Sequence, residues 1–169
     1  MSTYHLLYAP FYENYIQLAT KHGKISKALK QNTKDLISVL ENIPRKKIDY
    51  AYAEGKWTIK QLVQHMIDAE RVFAYRALRF ARYDQTPLAG FDENKWADTA
   101  DVSARGWKEM LREFSQLRKS NILMIASFSK EELAATGTAS EKEISVAALC
   151  FIIAGHAEHH LNILRERYL

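Results

Sequence analysis

Apolar residues recur at helical spacing along most of the chain, and the breaks between them predict five helical segments. A short one runs roughly from Phe11 to Thr20 and is broken by Gly23. The next, roughly Ile25 to Asn42, sets Ile25, Leu29, Leu36 and Leu40 near one face and ends at Pro44. The stretch from Arg45 to Trp57 is irregular. Thr58 and Gln61 then have the spacing of a capping box, which predicts a helix to about Arg82. A long connection follows, YDQTPLAGFDENKWADTADV, and connections of that length in compact domains are often functional. Ser103 is the expected cap of a helix from about Ala104 to Ser127, with Gly106 in its first turn. Ser129 and Glu132 predict a short capped turn, and Ser145 caps a last helix from Val146 to about Tyr168. Four long helices and no convincing strand predict an all-α four-helix bundle, with residues 1–169 forming one domain.

The last helix carries GHAEHH, in which His156 and His160 are four residues apart. At about 100° per residue, His160 falls about 40° from His156. Leu149, Ile152, Ile153, Ile163 and Leu164 fall within about 80° of it, so both histidines lie in the apolar stripe. His159 falls on the flank of that stripe, as a pocket-mouth residue or a partner of a ligating group. On the third helix, His65 shares a core-facing stripe with Leu62, Ala69, Val72, Phe73 and Phe80. Asp68 and Arg76 lie on the same side of that helix, whereas Glu70 points away, toward the surface or an ion pair between helices. Imidazoles at i and i+4 can share one metal ion, and three neutral ones would leave an open coordination position. A lone histidine on an apolar face is usually a hydrogen-bonded core residue. Three such histidines are harder to satisfy that way. His5 and His22 sit in terminal or polar contexts and receive no role.

Composition narrows the classes. Hydrophobic residues are 47% and charged residues 26%, an ordinary globular balance. The net charge of +4 is interleaved with acidic residues. KHGK at 21–24 and KALK at 27–30 make only a weak basic stripe, so no nucleic-acid partner is expected. Cys150, the single cysteine, lies in the apolar run ISVAALCFIIAG and reads as a small buried hydrophobe. No disulfide can form within the chain, which suits a reducing cytoplasm. The N-terminal MSTYHLLYAPFYENY lacks a basic region followed by an apolar core, so no secretory signal is expected. The longest uncharged stretch, Ile144 to Ala157, is too short to span a bilayer.

Three passages resemble the DinB/YfiT-like superfamily of small helical metalloproteins: EGKWTIKQLVQHMIDAERVFAYRALRFAR, PLAGFDENKWA and ISVAALCFIIAGHAEHHLNILRERYL. HMIDAE on one helix with GHAEHH on the last is a more specific signal than either alone. The resemblance implies a bundle with up-down-down-up connectivity. It also implies a divalent metal, usually nickel or zinc, held by His65, His156 and His160, and commonly a homodimer. Several relatives transfer a low-molecular-weight thiol such as bacillithiol or mycothiol to an electrophile, others are isomerases using such a thiol, and many carry the provisional label of metal-dependent hydrolase.

Two enzymatic expectations follow. In thiol transfer, the metal stabilises a thiolate that attacks an electrophilic carbon of a small-molecule substrate. Arg76 would then supply a cation for the thiol cofactor, with Phe73, Trp57, Phe91 and Trp96 as wall residues. In hydrolysis, water takes the same place and Asp68, the carboxylate best placed by helix angle, manages its proton. Otherwise Asp68 orients a ligating histidine or pairs with Arg76. The third expectation is a non-catalytic metal-binding or ligand-binding bundle.

Overall fold

The computed structural model describes residues 4–169. In chain order the helices are α1 (Glu13–Thr20), α2 (Ile25–Glu41), α3 (Ile59–Ala81), α4 (Glu93–Thr99), α5 (Trp107–Ala126), α6 (Lys130–Ala134) and α7 (Val146–Ile163). A hairpin of β1 (Thr136–Ala139) and β2 (Lys142–Ser145) leads into α7. The first three residues of the N-terminal stretch lie outside the described residues.

Three predicted caps form as their spacing dictates. The Thr58 hydroxyl accepts the Gln61 N–H at 3.1 Å while the Gln61 side chain accepts the Thr58 N–H at 2.8 Å. Ser129 and Glu132 make the same reciprocal pair. Ser145 Oγ accepts the Ala148 N–H at 3.3 Å. Each supplies acceptors to N–H groups that a helix start leaves unpaired. Two boundaries move. Ser103 does not cap α5: its N–H bonds the Asp101 carboxylate in a local turn, and Gly106 stands at the N-cap. The last helix stays α-helical to Ile163 and widens into a π turn over Leu164–Tyr168.

Cross-helix contacts set the direction of each helix. Asn32 and Glu158 bond, and farther along Lys47 reaches the Tyr168 carbonyl, so α2 and α7 run parallel. His65 meets His160 while Phe73 meets His156, so α3 runs antiparallel to α7. Gln64 bonds Arg105 and Glu70 bonds Arg118, so α5 runs parallel to α3. The order is up-down-down-up, with α2 and α3 on one diagonal. No helix of the described residues is long and apolar enough to cross a membrane.

Helix α7 is apolar on every side from Val146 to Gly155, and Val146 through Ala157 are all buried. Helix α1 crosses it at Gly155, where a Cβ would lie 1.9 Å from the Tyr15 carbonyl oxygen. Only glycine permits that approach. Gly155→Ala is therefore expected to destabilise the protein by about 3 kcal/mol through forced displacement of backbone. Urea unfolding checks this, and a loss under about 0.5 kcal/mol would show that α1 yields freely.

Two features depart from the helical reading. The long connection holds α4, and the segment before α7 is a hairpin. Its turn residues Ser140 and Glu141 have φ of 52° and 63°, the left-handed dihedrals of a type I′ turn. Glu70 is 2% exposed rather than at the surface. It accepts from Arg118 through both carboxylate oxygens and from Asn121, and Arg118 also donates to Asn32 and the Ile153 carbonyl. The ion-pair half of the expectation is therefore what the helix makes.

Candidate metal centre

His65 comes from the middle of α3, and His156 and His160 come from successive turns of α7. The antiparallel packing brings their Nε2 atoms together: 2.9 Å for His65 to His156, 3.1 Å for His65 to His160 and 3.1 Å for His156 to His160. All three rings are buried.

Burial fixes their protonation. It holds His65 down to about 4, assisted by the field of His159. His156 and His160 are lowered well below 6.5, first by burial and then by the neighbouring histidines. Neutral imidazole carries one proton and one lone pair. In a triangle of three Nε2 atoms a single shared proton satisfies one edge, and lone pairs still face each other on another. A cation at the centre satisfies all three. Tetrahedral ligation at 2.0–2.1 Å separates nitrogens by about 3.3 Å, a few tenths beyond the distances found. The donor set thus fits a divalent ion. The three histidines also form a candidate ion-holding group of the described residues. The Nδ1 of His160 is buried with no hydrogen-bond partner among them.

The depressed His65 value has a consequence for the metal-free protein. As pH falls, the unfolded chain takes up its proton first, near 6.5, and the folded chain only near 4. Stability from this group is complete above about pH 6.5 and is lost progressively toward pH 4, by about 3 kcal/mol in all. Urea midpoints of metal-free protein at pH 7 and pH 4.5 measure this loss together with that of His156 and His160, which are lowered for the same reason. Equal midpoints would mean that the ring is not held neutral by burial.

Two cavities reach this cluster. One of about 290 Å³ is walled by His156, Tyr12, Tyr15, Phe73, Arg76 and Glu93. Tyr15 and Phe73 meet the His156 ring edge-on at 5.4 and 5.7 Å. Arg76, 2% exposed, donates to the Ala89 carbonyl at 2.8 Å and to Ser140 Oγ at 3.1 Å, and interacts with the Tyr12 hydroxyl. Phe91 lies 5.8 Å from its guanidinium. Among the described residues no carboxylate forms an ion pair with Arg76. Burial lowers the guanidinium, and Tyr12 opposes that effect. Burial also raises Tyr15 to about 12, with Glu93 adding to the rise. The second cavity, about 230 Å³, is walled by His160, Trp57, Leu62, Asn94, Ile163 and Tyr168. The Trp57 ring lies 4.7 Å from the His65 ring, and its carbonyl accepts from the Tyr168 hydroxyl at 2.7 Å.

Asp68 lies elsewhere. It accepts from Gln64 at 2.9 Å and faces Arg71 at 3.9 Å, with no ion pair to Arg76. It lines a third cavity with Val72, Tyr75 and Trp96, on the outer side of Arg76. Trp96 stacks on Phe91 and is 42% exposed, so it walls that outer cavity rather than the histidine cluster. His159 sits on the flank, its Nδ1 3.3 Å from Asn14 Nδ2 and its ring beside Tyr15. Cys150 is fully buried, and burial pushes its thiol up to about 12. Sequence reasoning missed Tyr12, Tyr15, Glu93 and Ser140. None stands at a motif spacing, and all reach the cavity through tertiary packing.

Bacillus mycoides has a relative 28% identical over 138 residues, covering 79% of each chain and named "Putative metal-dependent hydrolase". A relative in Oceanobacillus iheyensis with the same description is 27% identical over 137 residues, covering 80% of this chain and 78% of its own. Among solved structures, YfiT from Bacillus subtilis matches with a TM-score of 0.76 at 18% identity, over 86% of this chain and 84% of that one. It is described as "a probable metal-dependent hydrolase with an unusual four-helix bundle topology", and the likeness shows that the fold is shared. The family model of the DinB superfamily matches residues 28–164. The chain belongs to the DinB superfamily.

Proposed function

We propose that this chain is a divalent-metal-dependent S-transferase that joins a low-molecular-weight, anionic thiol to an electrophilic carbon. His65, His156 and His160 would hold the ion. A divalent ion there supplies Lewis acidity, which lowers the pKa of a thiol or a water beside it. The observation that carries the transfer reading is Arg76. A buried guanidinium without a carboxylate partner is costly, and an anionic substrate group in the cavity it shares with His156 would repay that cost. Arg76 binds that group, Ser140 and the Ala89 carbonyl hold Arg76 in place, and Phe73 and Tyr15 keep water from the His156 side. The thiol proton leaves to solvent at the exposed Glu93 mouth. The sulfur then bonds carbon, and the leaving group departs with its electron pair.

Hydrolysis is the second reading, favoured by the names of the relatives. It needs a carboxylate near the reacting water. Glu93 lines the His156 cavity, whereas Asp68 is engaged by Gln64 and Arg71 outside it. The test uses zinc- or nickel-loaded protein with mercaptosuccinate and 1-chloro-2,4-dinitrobenzene, beside p-nitrophenyl acetate alone. Transfer predicts metal-dependent conjugation, kept within about threefold in Asp68→Asn and Glu93→Gln because no carboxylate base is required. Ester cleavage without thiol, falling at least tenfold in Glu93→Gln, would replace this reading with hydrolysis.

A further inference from the structure

The two cavities share no lining residue. Along α3 the first is walled by Ala69, Phe73 and Arg76 and the second by Leu62, with His65 between them. At about 1.5 Å per residue, Leu62 and Ala69 stand about 10 Å apart, so the cavities flank the histidine cluster. Each takes a different ligand candidate into its wall, His156 in the first and His160 in the second. Consecutive residues at the start of α4 divide them: Glu93 faces the first and Asn94 the second. The chemistry also differs. The first holds the buried Arg76 beside phenolic side chains, with Glu93 exposed at its rim. The second holds Trp57, Leu62, Ile163 and Tyr168, and its cation, Lys56, is exposed at the rim.

We infer that the site is a two-entrance site, in which an anionic substrate occupies the Arg76 cavity and a neutral, aromatic or apolar substrate occupies the Trp57 cavity. The two meet at the histidine cluster without competing for space. This rests on the metal-centred reading above and assigns its two substrates to separate walls. The aromatic cavity suits a flat neutral ring because Trp57 and Tyr168 offer faces and edges for stacking. The Arg76 cavity suits a carboxylate because a buried guanidinium with no carboxylate partner lines it.

The experiment uses metal-loaded protein carrying Trp96→Phe and Trp107→Phe, so that Trp57 alone reports. The neutral probe is 1,3-dinitrobenzene, read by quenching of Trp57 fluorescence. The anionic probes are mercaptosuccinate and the sulfur-free succinate, read by calorimetry. Saturating mercaptosuccinate is expected to leave the dinitrobenzene dissociation constant within twofold. Asn94→Phe, an exposed change that fills the second cavity, should weaken dinitrobenzene at least tenfold and leave both anions within twofold. Arg76→Gln should weaken both anions at least tenfold and leave dinitrobenzene within twofold. Should that variant fail to fold, Glu93→Gln reads the same cavity and should tighten both anions at least twofold without moving dinitrobenzene. Mutual exclusion of the two probes, or dinitrobenzene binding indifferent to Asn94→Phe, overturns the two-entrance site. Equal affinities for succinate and mercaptosuccinate would instead sink the thiol reading, while independent binding of the two probes still upholds the partition.

Discussion

Replacing His160 by alanine is expected to strip the purified protein of metal. Wild type, grown and purified without a tag, should carry about one nickel or zinc per chain, the choice following availability. The His160→Ala, His156→Ala and His65→Ala variants should each carry none. Outer partners of ligating histidines are worth ten- to a hundredfold in affinity, so removing a ligand should cost at least about a hundredfold. His159→Ala is the control. Its ring packs against Tyr15 and the His160 ring but stays out of the Nε2 triangle, so metal content should hold. Elemental analysis decides, with circular dichroism to establish that each variant is folded. Full metal content in any triad variant, or no uptake by wild type from added zinc or nickel, would refute the centre.

Arg118→Met is expected to be the most destabilising single change outside that centre, at about 3–5 kcal/mol. It strands the Glu70 carboxylate, 2% exposed, without the guanidinium that bonds it at 2.7–3.0 Å. The companion Glu70→Leu leaves a cation buried and should cost a similar amount. Joining the two removes both charges, and the double variant should recover at least half of the summed loss, since apolar replacements of buried pairs are often near neutral. Urea unfolding of the four proteins gives the cycle. Additive losses would mean that the two groups act separately. The pair matters to the centre as well, because Arg118 also grips the Ile153 carbonyl one turn before His156.

The histidine triangle was legible because two simple periods converge on it. The i, i+4 spacing sets His156 over His160, and the stripe on α3 aims His65 at α7. Capping boxes located helix starts for the same reason, since a cap is a local arrangement of adjacent residues. For Glu70 only the ion pair between helices holds and not the surface position, because α3 buries more than one face. It packs against α7 on one side and α5 on another, so the side turned from α7 meets Arg118 instead of solvent. The hairpin escaped notice because Ser140 and Glu141 occupy a turn whose usual signal is Asn-Gly. The cavity walls were legible only in part: Phe73, Arg76, Phe91 and Trp57 could be named, but Tyr12 just before α1, Tyr15 on α1, Glu93 on α4 and Ser140 in the hairpin are brought together only by long-range packing.

The histidine triangle and the cavity walls belong to different parts of the molecule. His65, His156 and His160 stand on two long helices locked into the bundle, and α7 is too tightly enclosed to tolerate much change. Tyr12, Glu93, Asn94 and Ser140 sit on short peripheral pieces that bear little of the packing load. Changes to those pieces can alter what the cavities admit while leaving the histidine triangle in place. A scaffold built this way separates the chemistry its centre can supply from the choice of what reaches it.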